Sequence, residues 1–323
     1  MLFKYMWLVK SEETSNRNFG KSPGERTIEE LSNSSVIILD KHSGPTSHQC
    51  TAWVRDIFNI RKSGHSGTLD PAVTGVLPIV LGDATKVAAV LTGLDKEYVG
   101  VMHLHKEMPE DAVRNMIADK FVGKIRQLPP IKSAVARKER ERTVYFFDVM
   151  EMDGKDVLFK VGCEAGTYIR KLVHDTGQAL GIGAHMSELR RTKVGSFTEE
   201  QSHSLLEVRD AYEIWKNGGD GKLLREILIP VENAIPHVKK IFVKDTAIEN
   251  ICNGAPVYVN GISRIQREIV KGETVAVLSL REELVALGIS KMTSEEMVRR
   301  VKGVAIRNDK VLMRRGNKMP QNA

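Results

Sequence analysis

Cysteine is scarce in this chain. Cys50, Cys163 and Cys252 lie far apart, odd in number and without metal-ligand spacing. That argues against a disulfide framework and for a reducing compartment. No apolar run approaches the ~18 residues of a membrane span. Met1 to Val9 mixes Lys4 and Tyr5 with apolar residues and is too short for a secretory core. A soluble cytoplasmic protein without a membrane role is expected. The chain also lacks a phosphate-binding GxxxxGK(S/T) loop and a zinc-like Cys/His cluster. It has no internal repeat and no low-complexity tract.

What is present sets other bounds. A length of 323 residues favours two domains, and 41% hydrophobic content supports a sizeable core. A formal charge of +7, with pI near 9.2, points to a polyanionic partner.

The stretch from Gly64 to Pro78 places one carboxylate, Asp70, in a glycine- and proline-punctuated loop. Gly64, Gly67 and Gly75 permit tight turns and close approach of a ligand. Pro71 pushes Asp70 away from helical dihedrals. Two readings of Asp70 follow from local pattern: a turn cap, or a fixed catalytic acid.

The first forty residues are polar and turn-rich, an extension that wraps over another part of the protein. Val36 to Leu39 has strand character. Cys50, Trp53, Val54, Ile57 and Phe58 define one face of a helix capped by Thr46 or Ser47. Asp83 caps a short helix stopped by Gly93, and Tyr98 to His105 is strand-like. His103 and His105 alternate at strand spacing, and a metal site would need a third ligand. Val113 to Phe121 is an amphipathic helix. Arg126 to Arg142 is basic, either a solvated face or an RNA contact. Thr143 to Met150 and Val157 to Cys163 flank the Asp153-Gly154 turn of a hairpin. Ile169, Leu172, Val173, Thr176 and Leu180 form a helical stripe, with Tyr168 and Arg170 off it. Leu205 to Trp215 and Leu223 to Ile229 are helical, and Pro230 and Pro236 bracket a boundary. Beyond it come short strands at 241–243, 257–259, 274–280, 285–287, 304–306 and 311–313. Helices at 245–252 and 294–301 interrupt this small mixed β domain.

Five segments in one order carry a resemblance: Asp40 to His48, Gly64 to Pro78, Lys96 to Tyr98, Gln127 to Ala134 and Gly166 to Leu172. Together they resemble the motifs of the TruB family of pseudouridine synthases, with Met186 to Arg191 similar to its last motif. Gly254 to Val257 and Val304 to Arg314 resemble a PUA domain, an RNA-binding module. The resemblance implies an α+β pseudouridine synthase fold, a mixed, largely antiparallel sheet flanked by helices, with a small C-terminal β-rich PUA domain. It divides the chain into an N-terminal extension packing on the C-terminal domain (1–34), a catalytic domain (35–235), a PUA domain (236–314) and a flexible tail (315–323).

It further implies Asp70 as the catalytic carboxylate, acting as nucleophile or base, with Tyr98 stacked on the uracil and Arg170 paired with the acid. Lys41, His65, Thr68, Tyr168, Lys171, Met186 and Leu189 would contact substrate RNA. Lys41 also reads as solvated surface, and Met186 and Leu189 also read as core. Gly254, Ala255, Pro256, Val257 and Arg314 would hold the guide RNA. No cofactor and no metal is implied.

The extension and PUA-like module are most similar to the archaeal, dyskerin-like branch, the catalytic subunit of box H/ACA ribonucleoproteins. The long lysine-rich tails of its eukaryotic members are lacking. Its implied partners are a box H/ACA guide RNA, an rRNA or tRNA substrate, Nop10-like and Gar1-like proteins, and a kink-turn-binding ribosomal-type protein attached through the RNA. His42 departs from the proline usual after Asp-Lys. A stand-alone tRNA T-loop synthase and a non-catalytic RNP scaffold are the alternatives.

Overall fold

The computed structural model describes residues 6–15, 19–128 and 138–313. Arg314 and most of the Gln127 to Ala134 motif, from Pro129 on, lie outside the described residues.

The first half of the chain forms β1 (Trp7–Val9), α1 (Ile28–Ser32), β2 (Ser35–Lys41), α2 (Ser47–Ile57), β3 (Ser63–His65), β4 (Thr74–Leu81), α3 (Ala88–Thr92), β5 (Lys96–Leu104) and α4 (Glu110–Lys120). Then come β6 (Gly123–Gln127), β7 (Arg140–Asp153), β8 (Asp156–Cys163), α5 (Ile169–Ala179), β9 (Ala184–Val194) and β10 (Phe197–Thr198). Helices α6 (Leu205–Lys216) and α7 (Lys222–Ile227), strand β11 (Ile229–Pro230) and helix α8 (Val231–Ala234) end this part. The remainder is β12 (Lys239–Val243), α9 (Asp245–Cys252), β13 (Val257–Tyr258), β14 (Ile262–Gln266), β15 (Thr274–Leu278), β16 (Leu284–Ser290), α10 (Ser294–Arg299) and β17 (Val304–Val311).

Ten strands make the larger sheet, ordered β11-β2-β4-β9-β5-β8-β7-β6, with β3 on β4 and β10 on β9. Every neighbour is antiparallel except β4 and β9. Strands β2 and β4 are apolar along their length because both of their faces are covered. Ile37, Leu39, Leu77, Ile79 and Leu81 join the core under α2, α5 and α6. Their alternates Val36, Ile38, Val76 and Val80 meet Phe242, Leu278, Leu284 and Leu287 of the C-terminal sheet. The period of two thus sends each strand into two cores.

A capping box starts α2: Thr46 Oγ1 accepts from the Gln49 N–H, and Gln49 Oε1 accepts from the Thr46 N–H at 2.8 Å. Cys50, Val54 and Phe58 are buried, but Trp53, expected on the same apolar face, is 40% exposed. The helix also buries Ser47 and Thr51, so its buried face is turned toward these small polar residues, which leaves position 53 at its edge. The β7–β8 hairpin turns at Gly154, which adopts a φ of +55°.

The C-terminal sheet runs β1-β14-β12-β15-β16-β17-β13. Strand β14, Ile-Ser-Arg-Ile-Gln, was not expected from local pattern. It forms because β1 and β12 flank it and satisfy both of its backbone edges. The strands expected at 304–306 and 311–313 are replaced by one continuous β17, which ends at Val311.

The N-terminal residues therefore complete the C-terminal sheet. The Lys10 ammonium donates to the carbonyls of Met297, Val298 and Arg300. A buried ionic node joins three regions of the chain. Arg26 donates bidentately to Glu232 at 2.9 and 2.7 Å, Glu232 also accepts from the Leu284 N–H, and Glu283 accepts from the Lys21 N–H. Glu283 lies 3.7 Å from Arg26, and burial pushes its carboxyl pKa up. Removing Arg26 strands two buried carboxylates together. Arg26→Ala is expected to lower unfolding free energy by about 3–5 kcal/mol, as when a buried pair loses one partner. Urea denaturation checks this, and a loss under 1 kcal/mol would refute the node.

Candidate active site

Asp70 sits in the loop from Ser66 to Val73, which joins β3 to β4 at the one parallel seam of the sheet. Three anchors fix its backbone. Ser47 Oγ, fully buried, accepts from the Leu69 N–H at 2.9 Å and donates to the Leu69 carbonyl. The Gly44 N–H donates to the Pro71 carbonyl, and the Val73 N–H to that of Asp70. Lys41, at the end of β2, is 0% exposed and spends its ammonium on the carbonyls of His42, Pro71 and Val73 at 2.8–2.9 Å. Lys41 was expected at the RNA surface. This is corrected here, because a fully buried group with every donor engaged has none for a phosphate. Burial lowers its pKa.

The loop rests on Arg191 of β9. Arg191 pairs with Gly75 of β4 on one side and with Tyr98 of β5 on the other. Gly75 has a φ of +100°, and a Cβ there would strike the Arg191 carbonyl. The buried Arg191 guanidinium donates to the carbonyls of Val76 at 2.7 Å and Gly67 at 3.1 Å. It also hydrogen-bonds the Tyr98 hydroxyl. Burial lowers the Arg191 pKa and raises that of Tyr98.

Arg170, in the first turn of α5, forms an ion pair with Asp70 through Nη2 and Oδ2. The pair brings together residues a hundred positions apart, and the carboxylate stays 52% exposed at the surface. Gln127 positions the start of α5: its amide accepts from the Tyr168 N–H at 2.9 Å and donates to the Tyr168 carbonyl. Lys171 is paired with Asp175 one turn on. Tyr98 is only 9% exposed, so it lies in the floor of this region rather than standing out as an open ring.

His65 Nε2 lies 3.2 Å from His48 Nδ1, and its own Nδ1 is buried without a partner. Burial, followed by His48 and Arg191, lowers the His65 pKa. Thr68 is exposed. Met186 and Leu189 are on β9, where Met186 packs against the main core and Leu189 is 9% exposed within it.

In the C-terminal domain, Gly254 is exposed with a φ of +90°, and Ala255 and Pro256 are half-buried. The Ala255 carbonyl accepts from Asn308 at 2.6 Å. Val257 was expected to hold RNA, but its side chain is 1% exposed and belongs to the core, which leaves only its backbone for a ligand. His103 bonds Asp156, and His105 bonds His185. Among the described residues, no group of three or more His, Cys, Asp and Glu is placed to hold a metal ion.

Ser47 was expected only as a possible helix cap, and Gln127 and Arg191 only as ends of motifs, none with a role in the site. For Arg191 a signal existed: in a strand, one of the adjacent Arg190 and Arg191 must face inward. Arg190 turns instead to Asp40, bidentate at 3.0 and 3.1 Å.

Two expectations separate these roles. Lys41→Met leaves buried carbonyls unpaired, at ~1–3 kcal/mol each. Denaturation should show a loss of about 3 kcal/mol or more. The salt slope of RNA binding should be unchanged, whereas a lost phosphate contact would lower it by about one. Lys96, 6% exposed, has its ammonium lowered to about 8 by burial. Its folded pKa lies below its unfolded one, so the unfolded chain binds more protons between them. Its contribution to stability should therefore rise from pH 8 to 10. Lys96→Met should flatten that rise in a pH series of thermal melts.

Four family models match the chain in order. They are the DKCLD (NUC011) domain over residues 3–51, the TruB family pseudouridylate synthase N-terminal domain over 55–169, the tRNA pseudouridylate synthase B C-terminal domain over 170–236, and the PUA domain over 239–312. A "Probable tRNA pseudouridine synthase B" of Methanopyrus kandleri is 47% identical over 309 residues, covering 96% of this chain and 91% of that protein. Its namesake in Nanoarchaeum equitans is 49% identical over 315 residues, covering 98% and 90%. Among solved structures, a chain of an H/ACA RNP bound to a substrate RNA containing 2'-deoxyuridine aligns with TM-score 0.88 and 44% identity, over 97% of this chain and 96% of that one. A chain of a Cbf5-Nop10-Gar1 complex aligns with TM-score 0.88 and 47% identity, over 96% and 94%. The loop carboxylate paired across the sheet seam, the PUA domain behind it and these likenesses agree: the chain belongs to the TruB family of pseudouridine synthases.

Proposed function

We propose that this chain is the catalytic subunit of an RNA-guided pseudouridine synthase, converting uridine to pseudouridine in rRNA. The observation that carries the reading is the likeness, over nearly the whole chain, to a chain of an H/ACA RNP bound to a substrate RNA. The proposed partners follow from it: an H/ACA guide RNA, Nop10-like and Gar1-like proteins, and a kink-turn-binding protein attached through the RNA.

The reaction breaks the N1–C1′ bond, turns the uracil and joins C1′ to C5. The C5 proton leaves and N1 gains one, so atoms balance without a redox partner. A uridine in a helix cannot present sugar and base together, so the target is unpaired or flipped out at a cost of a few kcal/mol. Asp70 suits the role of nucleophile or base, being half-exposed on a backbone fixed at three points. Arg170 neutralises and aims the carboxylate. Tyr98, Met186 and Leu189 form the apolar floor for the uracil. His65, Thr68, Tyr168 and Lys171 lie along the path of the RNA backbone. The loop from Gly254 to Val257 takes the end of the guide, chiefly through backbone groups.

A single-turnover assay tests this on an rRNA fragment and on a tRNA transcript, each with and without guide RNA and partner proteins. Guide-dependent product on rRNA is expected, and none with Asp70→Asn. Guide-independent product on tRNA alone would make the chain a stand-alone enzyme, in line with its relatives' names. Activity surviving Asp70→Asn would remove Asp70 from the chemistry.

A further inference from the structure

His42 and Trp53 lie beside the Asp70 loop, and the chemistry above uses neither. Their rings are parallel within 4°, with centroids 6.5 Å apart. That is an offset stack near the far end of its range, in which each ring keeps part of its surface uncovered. Trp53 is 40% exposed, and His42 is exposed as well.

Both rings are held in register with the catalytic loop. The His42 carbonyl shares the Lys41 ammonium with those of Pro71 and Val73, and the Gly44 N–H donates to the Pro71 carbonyl at 2.9 Å. The Trp53 backbone belongs to α2, whose first residue, Ser47, clamps Leu69. A group resting on these rings is therefore positioned by the same frame as Asp70.

The surroundings indicate what kind of group that is. Ser43, Gly44, Thr46, Gln49 and Asp56 are all exposed and none carries an apolar side chain, so the ring pair sits among polar neighbours. A protein partner would call for a contiguous apolar patch. A nucleobase needs a flat face with polar groups around it, and stacking accepts any base.

We propose that His42 and Trp53 form a stacking surface for an unpaired nucleotide next to the target uridine, fixing the RNA strand as the uridine enters the site. The proposal rests on the substrate being RNA. It makes the two rings binding residues and leaves the chemistry to Asp70.

The test compares wild type, Trp53→Ala, Trp53→Phe and His42→Ala as full-length chains. Turnover is measured on the rRNA fragment in the assembled guide complex, and binding of a tRNA transcript is measured for the chain alone. Trp53→Ala should raise KM and Kd about 5- to 100-fold, the range of one lost base stack, with the change in KM rather than kcat. Trp53→Phe should recover most of the loss, and His42→Ala should show a smaller one in the same direction. RNA should quench the part of tryptophan emission that Trp53→Phe removes. Wild-type KM and Kd in Trp53→Ala on both RNAs would overturn the proposal. So would a loss confined to affinity for the partner proteins, which would assign the ring to a protein interface. Quenching by tRNA without guide-dependent turnover would sink the guided function while leaving the stacking surface standing.

Discussion

A buried ammonium holds this site together. Lys41 has no contact with solvent, and its Nζ bonds the carbonyls of His42, Pro71 and Val73. Burying a lysine is costly, and the cost is offset only when every donor finds an acceptor. That requirement runs in both directions. The two loops must converge on Nζ to satisfy it, and once converged they hold Asp70 between Ser47 and the start of β4. The side chain that pattern suggested for RNA contact is thus the one that shapes the catalytic backbone.

The second constraint is the sheet seam. Elsewhere in the large sheet the strands run antiparallel, and only β4 and β9 run parallel. Their close approach at Gly75 tolerates no Cβ, and it brings Arg191 under the loop to bond Val76 and Gly67. From the other side, Gln127 ties down the first turn of α5 and so aims Arg170 at Asp70. Exposed ion pairs usually contribute little to stability. This one orients a carboxylate that stays open to a ligand, while the buried bonds beneath it hold the geometry.

Domain coupling follows from the two-sided burial of β2 and β4. Their alternate residues pack against the C-terminal sheet, so neither sheet completes its core alone. The N-terminal strand adds to the far sheet, and Arg26 closes the arrangement by bonding Glu232 beside Glu283. A PUA domain fixed this way stands at a set distance from the catalytic loop. That suits the proposed function, in which one RNA is held at two places.

Local pattern was enough for the strongly periodic elements: α2 with its cap at Thr46 or Ser47, the Gly154 hairpin, the stripe of α5 and the strand expected from Tyr98, which begins at Lys96. The ordered motifs of the sequence pointed to Asp70 as the proposed catalytic carboxylate and to Arg170 as its partner, and the two form an ion pair. Short-range patterns have short-range causes, namely dihedral preference and amphipathic spacing. Which polar groups are buried depends on contacts between distant segments. Lys41 and Arg191 look like surface cations in one dimension and become internal braces because distant carbonyls converge on them. Trp53 looks like core and ends at the surface because the buried face of α2 is turned toward Ser47 and Thr51. Strand β14 owes its existence to neighbours from opposite ends of the chain. Each of these outcomes depends on which residues, far apart in sequence, come into contact, and no local pattern encodes that.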